Sequence, residues 1–341
     1  MKFNLIFFCS ILAIGLMPFF SCQNDVKDTN VKQDTTQAPV DTLLESINSR
    51  ISADPNNAAL LHERAKLFLD RKMLKEALAD MDVVIKLDST KSEYFVTMAD
   101  LSYFQNRTND ARTFLQRAVR IDPENTAASL KLAEFNYIFR RYGESLDILN
   151  SILKKDDSNT QAWLMRGYIF KENGDTNQAV SDFQSALEAN PEFYDANMQL
   201  GMIFQLRNNP ICVGYFTNAL MARPASEEAY YGRGLWYQEK GQFNQAIQDY
   251  SAILKINPKN KTAHFNLGYI HLVYLKVYPE AVKHFTRAIE SDTTYAEAYF
   301  NRAMSYERLG NIVAAQSDFQ SALTHRPGYR LAEEGLRRVS K

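Results

Sequence analysis

Apolar residues recur with helical spacing along most of the chain, and residues 160–191 show the pattern most fully. Trp163, Gly167 and Phe170 are spaced by four and three residues, which places them on one face of a helix. A second set with the same kind of spacing comprises Ala179, Phe183 and Ala186. Gly174 lies between the sets and Pro191 follows them, and both residue types favour turns. The segment therefore predicts two helices joined by a tight turn.

Three columns of similar residues repeat this unit at intervals of 34, with one interval of 33 and one of 35. The prolines on this period are Pro55, Pro123, Pro191, Pro224, Pro258 and Pro327. The small residues are Ala65, Ala99, Ala133, Gly167, Gly201, Gly234, Gly268 and Ala303. The column in the second helix comprises Val84, Ala118, Ile152, Ala186, Ala219, Ile253, Ala288 and Ala322. Agreement among three columns indicates a stacked repeat architecture.

The pattern of residues 163–191 resembles the signature of the tetratricopeptide repeat (TPR), with its large, small and aromatic positions followed by proline. Copies six and eight match nearly as well, whereas Arg64 and Ala65 make copy one, and Ser129 and Ser145 copy three, poorer matches. The resemblance implies an all-α fold, a right-handed α-solenoid of about eight helix-turn-helix repeats. We place the repeats at 55–328, an N-terminal capping helix at 41–54 and a C-terminal capping helix at 329–341.

Two copies depart from the period. Copy five is one residue short and copy seven is one residue long. Pro210 and Pro279 lie at the turns between their helices, where proline can occupy the first turn of the second helix. We therefore expect loops to absorb both length changes.

The N-terminal segment has the layout of a targeting signal. Lys2 precedes an apolar run from Leu5 to Phe20, as in a secretory signal peptide over residues 1–21. Ser21 and Cys22 resemble the end of a bacterial lipobox, which implies that Cys22 is acylated and becomes the mature N-terminus. Residues 22–40 would then be a lipidated tether too polar to fold. The alternative is an uncleaved N-terminal membrane anchor, because the run is only slightly shorter than a bilayer requires.

These features predict that the chain is lipid-anchored in a bacterial envelope, at the outer membrane, on its periplasmic or its outer face. Asp34-Thr35 and Asp41-Thr42 resemble bacterial O-glycosylation sites, but the pattern is too short to predict modification. If Cys22 is acylated and Cys9 removed, Cys212 is the one remaining thiol of the three cysteines, and no intrachain disulfide can form.

The charge of the chain and the motifs it lacks exclude several classes of function. The formal net charge is −1, from 39 Lys and Arg against 40 Asp and Glu, which disfavours sequence-independent binding to nucleic acid. The sequence lacks the short motifs for dinucleotide, phosphate, zinc-protease and serine-hydrolase sites. His264 and His271 could share a helix face, but they occupy packing positions of the repeat, as does Cys212. We therefore predict no catalysis, no cofactor and no metal site.

A repeat array instead offers a binding surface. In the TPR family the first helix of each pair lines the concave side, which implies a groove for a protein or peptide partner. The apolar residues predicted to face it are Leu164, Met165, Tyr168, Met198, Met202, Tyr231, Leu235, Phe265, Tyr269, Phe300 and Met304. Methionine and aromatic side chains suit a groove that repacks around a bound segment. The competing interpretation is that several of them only complete contacts between repeats.

Charged residues lie beside the apolar row and replace it in the first three repeats. Acidic residues border the apolar row and favour a basic or amphipathic partner, at Glu228, Glu239, Glu297 and Glu307. In repeats one to three the row is polar, with His62, Lys66, Glu93, Asp100, Lys131 and Glu134. Some members of the TPR family hold a C-terminal carboxylate with a clamp of Lys and Asn residues on successive repeats. In this chain only Asn266 and Asn301 resemble parts of that clamp.

The sequence thus predicts an envelope-anchored scaffold or adaptor lipoprotein that binds proteins. The alternative is a surface lipoprotein that captures carbohydrate or peptide ligands, since exposed aromatic residues can stack on sugars. The regular repeat spacing leaves no room for the large loop insertions that such a site would require.

Overall fold

The computed structural model describes residues 42–341, and their regular secondary structure is entirely helical. The predicted signal peptide, Cys22 and the tether lie outside the described residues. The first ten helices are α1 (Thr42–Ala53), α2 (Ala58–Asp70), α3 (Leu74–Leu87), α4 (Ser92–Phe104), α5 (Thr108–Ile121), α6 (Thr126–Ile138), α7 (Tyr142–Lys155), α8 (Thr160–Glu172), α9 (Thr176–Ala189) and α10 (Tyr194–Leu206). The others are α11 (Cys212–Ala222), α12 (Glu227–Glu239), α13 (Phe243–Ile256), α14 (Lys261–Tyr269), α15 (Tyr278–Ser291), α16 (Ala296–Arg308), α17 (Ile312–His325) and α18 (Arg330–Val339).

Eight helix pairs, α2/α3 through α16/α17, form repeats one to eight. The two helices of each pair pack on each other, and each second helix packs on the first helix of the next repeat. Helix α1 packs on α2 at one end of the stack, and α18 packs on α17 at the other. The predicted all-α solenoid of repeats is confirmed.

The residue that caps each first helix lies two places after the position that holds proline in most repeats. The side chain of Asn57 accepts hydrogen bonds from the backbone N–H groups of Ala59 and Leu60, at 3.1 and 3.2 Å. The residues that cap other first helices in this way are Asn125, Asn159, Ser226 and Asn260. Each cap satisfies an amide that the helix itself leaves unpaired, so the short linkers fix where each first helix starts.

The small column creates space for large rings between helices. A Cβ atom added at Gly167 would lie 2.5 Å from the Phe183 ring, and one at Gly201 would lie 2.7 Å from the Phe216 ring. Both rings are fully buried. The lack of a side chain on the first helix thus lets an aromatic ring of the second helix pack against its backbone.

The expectation that loops absorb both length changes is wrong for repeat seven, whose extra residue lies in a helix, whereas in repeat five the change falls in the turn 207–211 between α10 and α11. The extra residue of repeat seven widens the end of its first helix into a π-helical turn, Ile270–Leu275. The residue missing from repeat five is taken up where α11 begins, because Cys212, Val213 and Gly214 donate backbone hydrogen bonds to the residue three places earlier. Pro279 lies in the first turn of α15, as expected, whereas Pro210 precedes α11.

Four repeats contain an arginine clasp that the sequence reading missed. In repeat six the guanidinium of Arg233 donates two hydrogen bonds to the carboxylate of Asp249, at 3.0 and 2.7 Å. Its third nitrogen donates to Thr217 Oγ1 of the preceding second helix, at 2.9 Å. The equivalent clasps are Arg64–Asp80 with Asn48, Arg166–Asp182 with Asn150, and Arg302–Asp318 with Thr286. Each clasp joins both helices of one repeat to the helix before it.

The clasp in repeat one explains the arginine that made this copy a poor match. Arg64 reaches Asn48 of α1 just as Arg166 reaches Asn150 of the second helix α7. Helix α1 therefore takes the place of a second helix from a preceding repeat. In repeats two, three, five and seven the arginine position holds Met98, Leu132, Leu200 and Leu267.

Candidate functional site: the inner face of the first helices

First helices of adjacent repeats touch one another directly, including α2 with α4, α4 with α6, α6 with α8 and α10 with α12. They therefore line the inner side of the array. The position after each small residue forms a column along this side, consisting of Lys66, Asp100, Glu134, Tyr168, Met202, Leu235, Tyr269 and Met304. The column is charged in repeats one to three and apolar from repeat four onwards.

Most of the predicted groove residues remain partly exposed. The half-buried set comprises Tyr168, Met202, Tyr231, Leu235, Phe265, Tyr269, Phe300 and Met304. The prediction is wrong for Leu164, Met165 and Met198, which are 1%, 6% and 3% exposed and belong to the hydrophobic core between repeats. Their side chains fill the space between neighbouring helices, so they are not available to a partner.

The half-buried aromatic residues pack one face on the core. The centroid of the Phe265 ring lies 5.1 Å from that of Tyr295 and 5.6 Å from that of Phe285. The Phe300 ring lies 5.2 Å from Tyr329 and 5.9 Å from Phe319 in the same way. Such packing holds each ring in place, so its exposed edge can contact a partner without a large loss of side-chain entropy.

The predicted acidic border is partly neutralised. Glu297 pairs with Arg326 at 2.9 Å, and Glu307 pairs with Arg338 at 2.5 Å. Glu228 and Glu239 are exposed, and burial raises the pKa of the Glu239 carboxyl. The apolar row therefore has less negative charge beside it than the sequence indicated.

The charged end of the inner face contains a cluster of three residues whose meeting was not foreseen. Lys131 Nζ donates to Asp100 Oδ2 at 2.5 Å, and both residues line a small pocket with Glu134. Oε1 of Glu134 is shielded from solvent and accepts no hydrogen bond. Burial raises the pKa of Asp100, and it raises that of Glu134 to about 7. This end of the groove is thus polar and sensitive to pH near neutrality.

The histidines occupy packing positions, and a third one joins the two singled out from the sequence. His264 Nε2 lies 3.2 Å from the carbonyl oxygen of Pro258, and its Nδ1 lies 3.2 Å from Nδ1 of His284. The His271 ring stacks on His284 with centroids 5.7 Å apart. Burial, together with the neighbouring imidazoles, lowers the pKa of His284 to about 4. Within residues 42–341 no group of His, Cys, Asp and Glu is arranged to hold a metal ion.

Cys212 is buried at the start of α11, and burial raises the pKa of its thiol to about 11. The thiol is therefore protonated at neutral pH and a poor nucleophile.

Among the helices formed by residues 42–341, none combines the length and the apolar character needed to cross a bilayer.

Comparison with known proteins agrees with this geometry. Tetratricopeptide repeat protein 6 of Homo sapiens is 25% identical over 293 residues, which cover 83% of this chain and 56% of that protein. A DnaJ homolog subfamily C member 7 homolog of Schizosaccharomyces pombe is 25% identical over 283 residues, which cover 81% of this chain and 48% of that protein. The chain thus spans about half the length of these relatives.

A solved structure shows the same fold. The C-terminal part of a TPR repeat-containing protein from Cytophaga hutchinsonii superposes with a TM-score of 0.59 and 16% identity, over 70% of this chain and 98% of that one. Four family models described as TPR repeat or tetratricopeptide repeat match residues 105–167, 160–193, 237–273 and 284–317. The periodic helix pairs and these matches show that the chain contains tetratricopeptide repeats, a type of repeat that mediates protein–protein interactions.

Proposed function

We propose that this protein is an envelope-anchored scaffold that binds a protein segment along its inner face. The observation that carries the proposal is the row of half-buried apolar residues on the first helices of repeats four to eight. An apolar surface that is held in place and partly open to solvent favours a partner that covers it. The row is continuous over five repeats, so it suits an extended or helical segment better than a small molecule.

The two ends of the inner face would recognise different parts of a partner. Apolar anchors such as Tyr231 and Phe265 would supply most of the binding free energy through burial. Asp100, Lys131 and Glu134 would instead select for polar or charged groups, because burying them against an unmatched surface is costly. We propose that the partner segment is correspondingly divided into an apolar and a polar part.

The anchoring of the scaffold is proposed from the sequence of residues 1–40. Acylation of Cys22 would attach the mature chain to a membrane, and a polar tether of 18 residues would separate the array from it. A flexible tether of this length spans on the order of 20 to 25 Å. The array could then reach partners close to the membrane.

The groove is tested by replacing Tyr231, Phe265 and Tyr269 with alanine. The tagged protein is captured from intact envelopes, its partners are identified by mass spectrometry, and capture is repeated with the variant. We expect the partner to be lost while the far-ultraviolet circular dichroism stays close to that of the parent protein. The melting temperature should fall, because the three rings also pack on the core, so capture is measured well below it. The matched control replaces Val83, Leu87 and Met221, exposed apolar residues of second helices, and should retain the partner. Equal capture by both variants would contradict the groove.

The anchor is tested separately by Cys22→Ala. We expect the protein to leave the membrane fraction and to lose the mass of its acyl groups. Membrane association that persists in this variant would favour the uncleaved anchor formed by residues 1–21.

A further inference from the structure

The turns of the array lie at two opposite ends of its helices. Turns within a repeat join the end of a first helix to the start of a second helix. Turns between repeats lie at the other end, because successive helices run in opposite directions. We call the residues between paired helices (71–73, 105–107, 139–141, 173–175, 207–211, 240–242, 276–277 and 309–311) the within-repeat edge. The linkers between repeats form the between-repeat edge.

The two edges differ in charge, which the near-zero net charge of the chain conceals. The within-repeat edge contains one acid, Asp175, and eight cations, Arg71, Lys72, Arg107, Arg140, Arg141, Arg207, Lys240 and Lys276. The between-repeat edge contains four cations, Lys91, Arg223, Lys259 and Arg326, and eight acids, Asp54, Asp88, Asp122, Glu124, Asp156, Asp157, Glu192 and Asp292. The turns of one edge are therefore basic and those of the other are mildly acidic. The helical turns that adjoin the within-repeat edge add three cations, Lys75, Lys171 and Arg308, and eight acids, Asp70, Glu76, Asp110, Glu144, Glu172, Glu239, Glu280 and Glu307, so the excess of positive charge is confined to the turns themselves.

Three of these cations occupy strained backbone positions. Each within-repeat turn has one residue in the left-handed region, and in repeats four, six and eight this residue is glycine, at Gly174, Gly241 and Gly310. The same position holds Lys72, Arg140 and Lys276, with φ angles of 60°, 56° and 57°. A side chain here costs free energy that glycine avoids. Their side chains are exposed, so no packing contact within the array accounts for this cost.

Exposed apolar side chains concentrate beside the same cations. Of 18 large hydrophobic residues that are exposed in residues 42–341, 12 lie on the within-repeat edge or in the adjoining helical turn. They are Met73, Phe104, Phe139, Leu206, Ile211, Val273, Tyr274, Leu275, Val277, Leu309, Ile312 and Val313. The most exposed are Leu206 at 87% and Val313 at 79%. Three others, Leu87, Met221 and Ile256, lie near the between-repeat edge.

We propose that the within-repeat edge docks on the surface of an anionic lipid bilayer. Lysine and arginine side chains are attracted to anionic headgroups, and neighbouring apolar side chains can enter the boundary between headgroups and acyl chains. Both classes of residue are needed for interfacial binding, and they occur together in the turns of repeats one, two, three, five and seven. The acidic residues of the opposite edge are repelled by the same surface, so the charges also set the orientation.

This docking is independent of the inner groove, which lies on another side of the array. An acidic protein would match the cations as well, but it would have to cover apolar residues spread over six of the eight turns. The bilayer surface is continuous and fluid, and it can accommodate such a spread. The two occupants give different results in the experiment below.

The first test is lysine acetylation of the full wild-type chain followed by mass spectrometry. The chain is bound to vesicles of phosphatidylglycerol with phosphatidylcholine, or to vesicles of phosphatidylcholine alone. We expect the anionic vesicles to protect Lys72, Lys240 and Lys276 and to leave Lys91 and Lys259 of the other edge reactive. Added salt should remove the protection, because screening weakens attraction between exposed charges. Equal protection of both edges, or protection that requires added envelope proteins, would overturn the proposal.

The second test separates docking from folding. Lys72→Gly with Lys276→Gly relieves two left-handed positions, so we expect a higher melting temperature. We also expect weaker partitioning to the anionic vesicles, by about fivefold for each cation that contacts them, since a basic residue near such a surface contributes about 1 kcal/mol. The control, Asn106→Gly, relieves a left-handed position in another turn without removing charge. Equal partitioning of the two variants would count against docking, whatever their melting temperatures.

Discussion

Repeats six and seven are neighbours that solve the same packing problem differently. In repeat six, Arg233 and Asp249 form a clasp that is largely withdrawn from solvent, with side chains 18% and 5% exposed. In repeat seven the equivalent positions hold Leu267 and His284. The comparison shows that the fold requires side chains that fill these two positions. It does not require those side chains to be charged. A charged pair does, however, depend on both partners remaining in place.

The largest effect is expected from breaking the clasp on one side. Asp249→Ala leaves the largely buried Arg233 guanidinium with Thr217 as its remaining hydrogen-bond partner. Removing one member of such a pair costs about 3 to 5 kcal/mol, because a desolvated charge is left uncompensated. Urea denaturation should show this loss in the free energy of unfolding. The control is Glu290→Ala, which breaks an exposed pair with Arg287 and should cost less than about 1 kcal/mol. Similar losses in both variants would contradict a structural role for the clasp.

The next effect concerns repeat five, which has no clasp and depends on packing. Gly201→Ala places a Cβ atom 2.7 Å from the fully buried ring of Phe216. The ring has no room to move away, because it also packs closely on the backbone of Gly232 in the next repeat. A Cβ atom built on Gly232 would likewise lie 2.7 Å from the ring. Overpacking of this kind costs about 1 to 3 kcal/mol. Thermal unfolding followed by circular dichroism would measure it, with Gly214→Ala as the control, since no atom lies within 4 Å of a Cβ there.

A smaller effect is expected when the whole clasp is exchanged for the apolar pair of repeat two. Arg233→Met with Asp249→Phe copies Met98 and Phe114, which hold these positions in that repeat. Replacing both members of a buried ion pair by apolar side chains is often nearly neutral, so we expect a loss below about 1.5 kcal/mol. Chemical denaturation of the double variant beside Asp249→Ala tests the comparison directly. A double variant as unstable as the single one would show that charge itself is required.

The smallest effect is a pH dependence of repeat seven. Burial lowers the pKa of His284 from its usual 6.5 to about 4, so the folded state binds fewer protons than the unfolded state between these values. Stability should therefore fall as the pH drops from 6.5 towards 4. His284→Phe should reduce this fall. Because the pKa of His62 in repeat one is lowered similarly, hydrogen exchange of α14 and α15 is the decisive measurement. An unchanged pH dependence there would contradict the role of His284.

The fold could be predicted from the sequence because the same pattern of residues occurs in each of the eight repeats. Small residues such as Gly167, aromatic residues such as Phe183 and the ladder of prolines fixed the register of the helix pairs. The clasps could also have been found, since Arg64, Arg166, Arg233 and Arg302 each precede an aspartate by 16 residues. This polar column is a weaker signal than the apolar columns, because the pair occurs in four of the eight repeats.

The site was less predictable, because exposure on a helix depends on how closely the next helix approaches. Leu164 and Met198 share a column with Tyr231 and Phe265, but they are covered by core contacts that the column does not reveal. The meeting of Asp100, Lys131 and Glu134 likewise depends on the contact of α4 with α6. The π-helical turn of repeat seven also has no signal in spacing, since one extra residue could equally lie in a loop.

The placement of the clasps gives the array a second, longer period. From repeat three onwards, clasped and unclasped repeats alternate, and each arginine in repeats four, six and eight reaches back to an unclasped neighbour. Nearest-neighbour coupling in the stack therefore alternates between a polar link and a purely apolar one. In a one-dimensional cooperative chain, such alternation makes the doublet of two repeats the natural unit of opening, so partial unfolding should proceed in steps of two repeats.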